Sequence, residues 1–315
     1  MNTVSVAMTT YNGESYLLPQ LQSLLQQTKQ PDEVIICDDC STDASVEIIR
    51  TFIQEHNLLN WKLLLNNTNI GFIKNFRKAI SVTNGEIIFL CDQDDIWMPQ
   101  KIEVMSEVLE KNPHIKALAS GYSFLDAYGY PLEGKQKKFY YPPIIDLSKV
   151  SRIKVGRVLY SNVAQGCTVA YRKDVVMDYC SASNCTTIAH DWALNLLAYQ
   201  SKGLYFINCK LTAYRIHPNN TTGICTNCTS LYIREKWLEN YVQFMEDAQL
   251  LPLNPSTQKD LVRIVKFTCD RLNWLQKRHL STWLLYFLRN LSVVSRYFFL
   301  SYFKDLIMAI VYKDD

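Results

Sequence analysis

The chain has 315 residues, 48% apolar and 20% charged, with a formal net charge of +3. That length suits one large domain or one domain with a smaller addition, and the apolar share excludes a disordered chain. Only ten glycines and ten prolines exclude a collagen-like or low-complexity chain, and the near-neutral balance excludes one that grips nucleic acid electrostatically along its length.

The opening MNTVSVAMTTYNG has no basic residue and no apolar block of signal-peptide length. It reads as a strand entering a loop, so the chain is expected to stay in the cytosol with its ten cysteines mostly reduced. Val4–Met8 is strand-like, and Leu18–Gln27 has helical spacing with Pro19 in a tolerated first-turn position. Glu33–Cys37 is β-branched and apolar, and Ser41-Thr42-Asp43 can cap a helix over Ala44–Glu55. Trp61–Leu65, a helix over Ile73–Val82 and a strand over Glu86–Cys91 repeat the pattern. Such alternation predicts βαβ units and a mainly parallel α/β sheet, in which ligands bind beyond the carboxyl ends of the strands. Those ends are polar here: Thr9-Thr10-Tyr11-Asn12-Gly13, Asp38-Asp39, Asn66–Gly71 and Asp92–Asp95.

From Ile115 to His217 the pattern loosens around Glu133–Lys138 and Pro142-Pro143, and this stretch reads as the half that recognises the second substrate. Beyond Thr229 the chain reads as helices. Arg271–Lys304 carries Arg271, Lys277, Arg278, Arg289, Arg296 and Lys304, many aromatic residues and no acid. A membrane span needs about 20 mostly uncharged apolar residues, which the basic residues interrupt. A helix lying in the headgroup layer fits better, and a helical lid packed on the catalytic part is the alternative. The expected division is 1–228 and 229–315. Cys225 and Cys228 form one C-x-x-C, and Cys180 with Cys185, five apart, makes a poor second pair for zinc.

Asp92-Gln93-Asp94-Asp95 follows an apolar strand, and three carboxylates so crowded need a cation or a helix end. Oxygen ligation suits Mg²⁺ or Mn²⁺, which can bridge nucleotide phosphates; a helix cap needs only one carboxylate. In Asp38-Asp39-x-Ser41-Thr42-Asp43, one carboxylate can accept from a base or ribose, and Asp43 suits a cap. In Asn69-Ile70-Gly71-Phe72-Ile73-Lys74, the glycine permits close backbone approach and Lys74 can face a phosphate. Neither a P-loop nor a G-x-G-x-x-G occurs. Asp191 of His190-Asp191-Trp192 opens a helix-like run, where the dipole keeps a carboxylate ionised and fit to serve as a base. Tyr214-Arg215-x-His217 offers a guanidinium for a diphosphate and an imidazole for a metal.

Taken in this order over Val4–Asn220, the six motifs resemble the inverting glycosyltransferases of family 2, which have the GT-A fold. The D-Q-D-D-x-W and H-D-W forms look most like the bacterial rhamnosyltransferase branch, which builds O-antigen, capsule and related glycans. The resemblance implies that Thr10, Tyr11 and Asp39 line the base pocket, with Asn69, Gly71 and Lys74 near the nucleotide. It implies Asp92 near the ribose and the metal, Asp94 and His217 on Mn²⁺ or Mg²⁺, and Arg215 at the diphosphate. Asp191 would be the catalytic base, and Gln165, Gly166 and Trp192 would lie near the sugar and acceptor. Cys40 stands where the family commonly has glycine. The expected reaction moves a sugar, L-rhamnose from dTDP-rhamnose or a hexose from a UDP-hexose, onto a lipid-linked glycan. The expected place is the inner face of the cytoplasmic membrane, met through the C-terminal helices, with no nucleic acid as partner. Nucleotidyl transfer and a non-catalytic carbohydrate-binding module are the competing readings. The first lacks its glycine-rich basic loop, and the second predicts lost carboxylates that are present.

Overall fold

The computed structural model describes residues 2–132, 150–153, 158–159, 161–218, 220, 231–277, 280–290 and 305–306. Strand β1 (Val4–Thr10) is buried along its whole length, as a strand covered on both faces must be. It pairs in parallel with β2 (Glu33–Asp38) and β4 (Ile87–Asp92), and β2 pairs in parallel with β3 (Trp61–Leu65). Helices α1 (Glu14–Leu25), α2 (Ser45–Glu55) and α3 (Phe72–Ser81) make the crossovers. Register sets the later chemistry: Thr10 lies opposite Asp38 and Thr9 opposite Asp92, so three polar strand ends finish side by side.

The remaining strands are β5 (Ile96–Trp97), β6 (Ala117–Leu125), β7 (Ser151–Arg152), β8 (Val169–Arg172) and β9 (Leu204–Arg215). Among the described residues nine strands form one sheet in the order β3-β2-β1-β4-β8-β6-β9-β5, with β7 also on β9. The expected α/β sheet is parallel in its N-terminal half and mixed beyond. A crossover helix imposes parallel pairing; β8 is instead entered from a 3₁₀ turn, Gly166–Thr168, and runs against both β4 and β6.

The strands' two-residue period sorts the core into two faces. Val4, Val6 and Met8 meet Leu17, Leu21 and Leu24 of α1, Phe52 of α2, and Met105 of α4 (Lys101–Lys111). Ala7 and Ile35 meet the other core, with Phe76 of α3, Tyr179 of α5 (Lys173–Ser181), and Trp192 and Leu196 of α6 (His190–Gln200). The C-terminal helices α7 (Leu231–Ala248), α8 (Pro255–Lys277) and α9 (Leu280–Arg289) join that second core through Leu238, Tyr241, Phe267 and Trp283.

Pro19 falls inside α1 rather than in its first turn. The carbonyl it cannot serve belongs to Ser15, and both residues are on the exposed face, where water can satisfy it. No helix among the described residues is long and apolar enough to cross a membrane. Cys225, Cys228, Asn219, Glu133–Lys138, Pro142-Pro143, Arg278, Arg296 and Lys304 lie outside the described residues.

Candidate active site

The loops beyond β1 and β2 are stapled to each other. Asn12 N donates to Ser41 Oγ, Gly13 N to Ser45 Oγ and Glu14 N to Asp43 Oδ2, at 2.8–3.1 Å. In return Thr42 N donates to Asn12 Oδ1 and Ala44 N to Glu14 Oε2, both at 2.9 Å. Asp43 also accepts from Ser45 N at 3.0 Å, so one carboxylate serves the first turns of two helices.

Gln93 ties this rim to the acidic turn. Its side chain accepts from Tyr11 N at 2.8 Å and donates to Tyr11 O at 3.0 Å. A Cβ on Gly13 would stand 2.3 Å from Gln93 Oε1, so a side chain there would push the amide away from Tyr11. Tyr11 itself is 46% exposed. Thr10 is buried and donates through Oγ1 to Asp38 Oδ2 at 2.8 Å.

Asp39 is buried and occupied by the loop after β3. It accepts from Asn66 Nδ2 at 2.7 Å, Ile70 N at 2.9 Å and Gly71 N at 2.8 Å. Gly71 has φ 83°, and Asn69 Oδ1 accepts from its N–H at 3.0 Å. Lys74 is exposed on the first turn of α3. Asp39 and the loop Asn69–Gly71 are therefore neighbours, and Lys74 follows on the first turn of α3.

The acidic turn divides into two groups. Asp94 Oδ2 lies 2.8 Å from His217 Nε2, and the His217 ring packs 4.5 Å from that of Tyr16. The donor atoms of Asp92, Asp95 and Cys167 lie within 4.8 Å of one another. Asp95 accepts from Arg215 N at 3.1 Å and has the Cys167 thiol as a weak side-chain hydrogen-bond partner, while its buried Oδ2 has no N–H or O–H donor among the described residues. Burial, then the Asp94 charge, pushes the Asp95 carboxyl up to about 7. Burial also raises Asp92 well above the usual carboxylate range, with Asp94, Asp95 and Asp191 adding to the push. An orphaned carboxylate oxygen among crowded acids fits a divalent cation. The oxygens and imidazole suit Mn²⁺ or Mg²⁺, and a thiol, if it contributes, favours the softer ion.

Three residues around this turn escaped the sequence analysis. Cys167 is buried and sets its sulfur beside the carboxylates. Lys101 is 0% exposed and donates to Cys167 O and, at 2.9 Å, to Thr212 Oγ1, with its ammonium 3.7 Å from the Trp97 ring centre. Burial lowers it to about 8, so it stays charged at neutral pH, a cation beneath the acidic turn. Asn162 belongs to no motif, yet its Nδ2 donates to Asp191 Oδ2 at 2.6 Å. The polar pair Ser161-Asn162 inside the otherwise apolar stretch Val158–Ala164 was the only available signal.

Asp191 heads α6, where Oδ2 also accepts from Gly166 N at 2.9 Å and Oδ1 from Trp192 N at 2.8 Å. A Cβ at Gly166 would come within 3.2 Å of Asp191 Cβ, so Gly166 is what lets the turn press against the carboxylate. Gln165 precedes that turn and is partly buried. His190 stacks on Phe76 at 3.9 Å, and burial lowers it to about 4, leaving it neutral.

Two of the expected site residues have buried side chains. Trp192 is buried against α7, 6.0 Å from Tyr241, and donates through Nε1 to Val158 O at 2.6 Å, because the apolar core outcompetes a polar cleft for an indole. Arg215 is 3% exposed and donates to Asp94 O at 2.7 Å and to Asp126 O and Ala127 O at 3.3 and 3.4 Å. Its guanidinium holds the turn that carries Asp94.

Comparison with known proteins gives a consistent answer. A family model described as glycosyl transferase family 2 matches residues 5–179; Asp191, Arg215 and His217 lie beyond that match. The dTDP-rhamnosyl transferase RfbG of Shigella flexneri is 27% identical over 257 residues, 76% of this chain and 84% of that protein. The uncharacterised protein Rv1520 of Mycobacterium tuberculosis is 29% identical over 218 residues, 69% of this chain, and the match spans 59% of its length. S. aureus TarS, solved with UDP-GlcNAc, has TM-score 0.59 at 19% identity, covering 93% of this chain and 81% of that one. The mannosyltransferase of Pyrobaculum calidifontis, solved with GDP-Man and Mn²⁺, has TM-score 0.56 at 15% identity, covering 98% and 86%. At these identities the two structures speak for the fold, which is GT-A.

Proposed function

The chain belongs to glycosyltransferase family 2, and on that premise we propose that it transfers a sugar from a nucleotide sugar to a lipid-linked glycan with inversion at the anomeric carbon. The observation that carries the reading is geometric. Gly166 N donates to Asp191 Oδ2 at 2.9 Å, and the next residue, Cys167, sets its sulfur within 4.8 Å of carboxylate oxygens of Asp92 and Asp95. A proton acceptor therefore stands beside the group of carboxylates suited to a cation.

In this reading Thr10, Tyr11 and Asp39 form the base end of the donor pocket, and Asn69, Gly71 and Lys74 flank it. Asp94 with His217, and Asp92 with Asp95 and Cys167 beside it, would hold Mn²⁺ or Mg²⁺. When bound, the ion supplies positive charge for the diphosphate oxygens. Arg215 keeps the Asp94 turn in place and adds its own positive charge there. Asp191 takes the proton of the acceptor hydroxyl while that oxygen bonds the anomeric carbon. The opposite bond to the diphosphate oxygen breaks, and the nucleoside diphosphate leaves with the electron pair. One displacement needs one base, and no second carboxylate is assigned as nucleophile. Gln165 and Gly166 sit next to that event.

For the donor we favour dTDP-rhamnose, on the likeness to RfbG across 84% of that protein; a UDP-hexose is the second choice. Residues 1–228 would carry the chemistry, and 229–315 would hold the enzyme against the inner face of the cytoplasmic membrane, where a surface-polysaccharide intermediate is met. On α9, Leu284, Leu285 and Leu288 are 52%, 60% and 55% exposed, with Lys277 and Arg289 exposed nearby, a pattern suited to anionic headgroups.

The test uses purified protein with dTDP-rhamnose, UDP-glucose, UDP-GlcNAc and GDP-mannose. One donor is expected to raise the melting temperature with Mn²⁺ and far less with chelator. Because protons compete at Asp92 and Asp95, the effect of the ion is expected to be larger at pH 8 than at pH 6. Asp191→Asn is expected to keep donor binding and lose turnover by about 10²–10⁴. Near-normal turnover in Asp191→Asn would remove the base assignment.

A further inference from the structure

We propose that Asn162 is a positioning residue for the Asp191 carboxylate, held in a single amide orientation by Asn195; the inference rests on Asp191 being the base. Asp191 and Asn195 are four apart on α6 and so lie on one face of the helix. Asn162, outside the helix, bridges them: Nδ2 donates to Asp191 Oδ2 at 2.6 Å, and Oδ1 accepts from Asn195 Nδ2 at 2.9 Å.

The polarity of this bridge is fixed by what lies behind it. Asn195 is 0% exposed. Its Nδ2 also donates to Ala164 O at 2.9 Å, and its Oδ1 accepts from Tyr171 OH at 3.0 Å. A backbone carbonyl can only accept, so the nitrogen of Asn195 must face Ala164 and Asn162. Tyr171 is buried and its phenol is pushed well up, so it remains a donor. Asn195 can therefore offer Asn162 only N–H. Asn162 must answer with its oxygen, which turns its nitrogen to Asp191.

The result is a carboxylate with unequal oxygens. Oδ2 accepts from Asn162 Nδ2 and Gly166 N, whereas Oδ1 has Trp192 N as its one donor among the described residues. Asn162 thus holds the plane of the carboxylate and leaves Oδ1 as the oxygen with capacity for the acceptor proton. The group it holds acts on the acceptor, so loss of Asn162 affects turnover and not the donor pocket.

The test is a double-mutant cycle on the full chain, with water as acceptor. It measures release of nucleoside diphosphate from dTDP-rhamnose, UDP-glucose, UDP-GlcNAc and GDP-mannose. Asn162→Ala is expected to lower kcat by about 10- to 100-fold with donor KM and donor-induced thermal stabilisation unchanged. In the Asp191→Asn background the same change is expected to cost less than twofold, because the group it acts through is gone. Asn162→Gln, which keeps an amide, is expected to recover part of the rate. A crystal structure of Asn162→Ala is expected to show the Asp191 carboxylate rotated or in two conformers. Wild-type kcat in Asn162→Ala, an equal loss in both backgrounds, or a carboxylate unmoved in the variant would each overturn the proposal. If Asn162→Ala does not fold, Asn162→Gln in both backgrounds reads the same cycle. Failure of the base reading is distinct, since it shows as retained turnover in Asp191→Asn alone.

Discussion

At Cys40 the backbone adopts φ 65°, the left-handed region in which a side chain crowds the following carbonyl. The family resemblance had marked this position as one where glycine is common, and the turn accepts the thiol with Sγ 3.8 Å from Asn67 O. Cys40→Gly is expected to raise the unfolding free energy by up to about 1 kcal/mol, less what glycine gains in unfolded freedom. Urea denaturation checks this, and a variant clearly less stable than wild type would show that the thiol contact outweighs the strain. Residues of this kind were legible because polar side chains at strand ends declare themselves in one dimension. Thr10, Asp39, Asp92, Asp94 and Asp191 all sit at such ends or at a helix start. Asn162 and Lys101 were not legible, since what gives each its meaning is a partner 29 and 66 residues away.

Among the elements, α6 depends most on its surroundings. The segment leading into it is gripped from two sides. Arg77 of α3 donates to the carbonyls of Tyr179, Ala182 and Cys185. Asp247, in the last turn of α7, accepts from the N–H groups of Thr186, Thr187 and Ile188 at 3.1, 2.7 and 3.0 Å. These bonds hold the Asp247 carboxyl below the usual range despite burial, which opposes them. Removing the carboxylate leaves backbone donors without their acceptor. Asp247→Ala is therefore expected to destabilise the protein by about 1–3 kcal/mol and to lower turnover more than donor affinity. Denaturation and steady-state kinetics check the two halves. Helix boundaries were readable to within a residue or two for α2 and α6, where apolar spacing and a first-turn acid agree, and for α3, where Gly71 precedes the apolar spacing. The start of α1 was not, because Gly13 and Glu14 are fixed by the neighbouring loop rather than by any local cap.

For the molecule as a whole, the sheet's first half was visible as repeated βαβ units. Its second half was not, because antiparallel entry through a 3₁₀ turn leaves no periodic mark. The C-terminal helices share a core with α6 and yet leave a leucine face outward on α9. Trp283 and Phe287 stack at 5.6 Å on the inward side, and Trp283 is 7% exposed. Replacing Leu284, Leu285 and Leu288 together with serine is expected to weaken sedimentation with phosphatidylglycerol vesicles by about tenfold or more, with folding intact. Equal sedimentation of the triple variant would remove α9 from the membrane contact.

Lys101 has a further consequence for how the enzyme behaves in the hand. Sealed under the carboxylates, it is a resident counter-ion that arrives with the polypeptide and cannot be dialysed away. If the acidic turn takes a divalent ion as proposed, a preparation stripped of it is expected to keep its far-ultraviolet circular dichroism and cooperative melting, so that activity lost under chelation would report chemistry and not collapse.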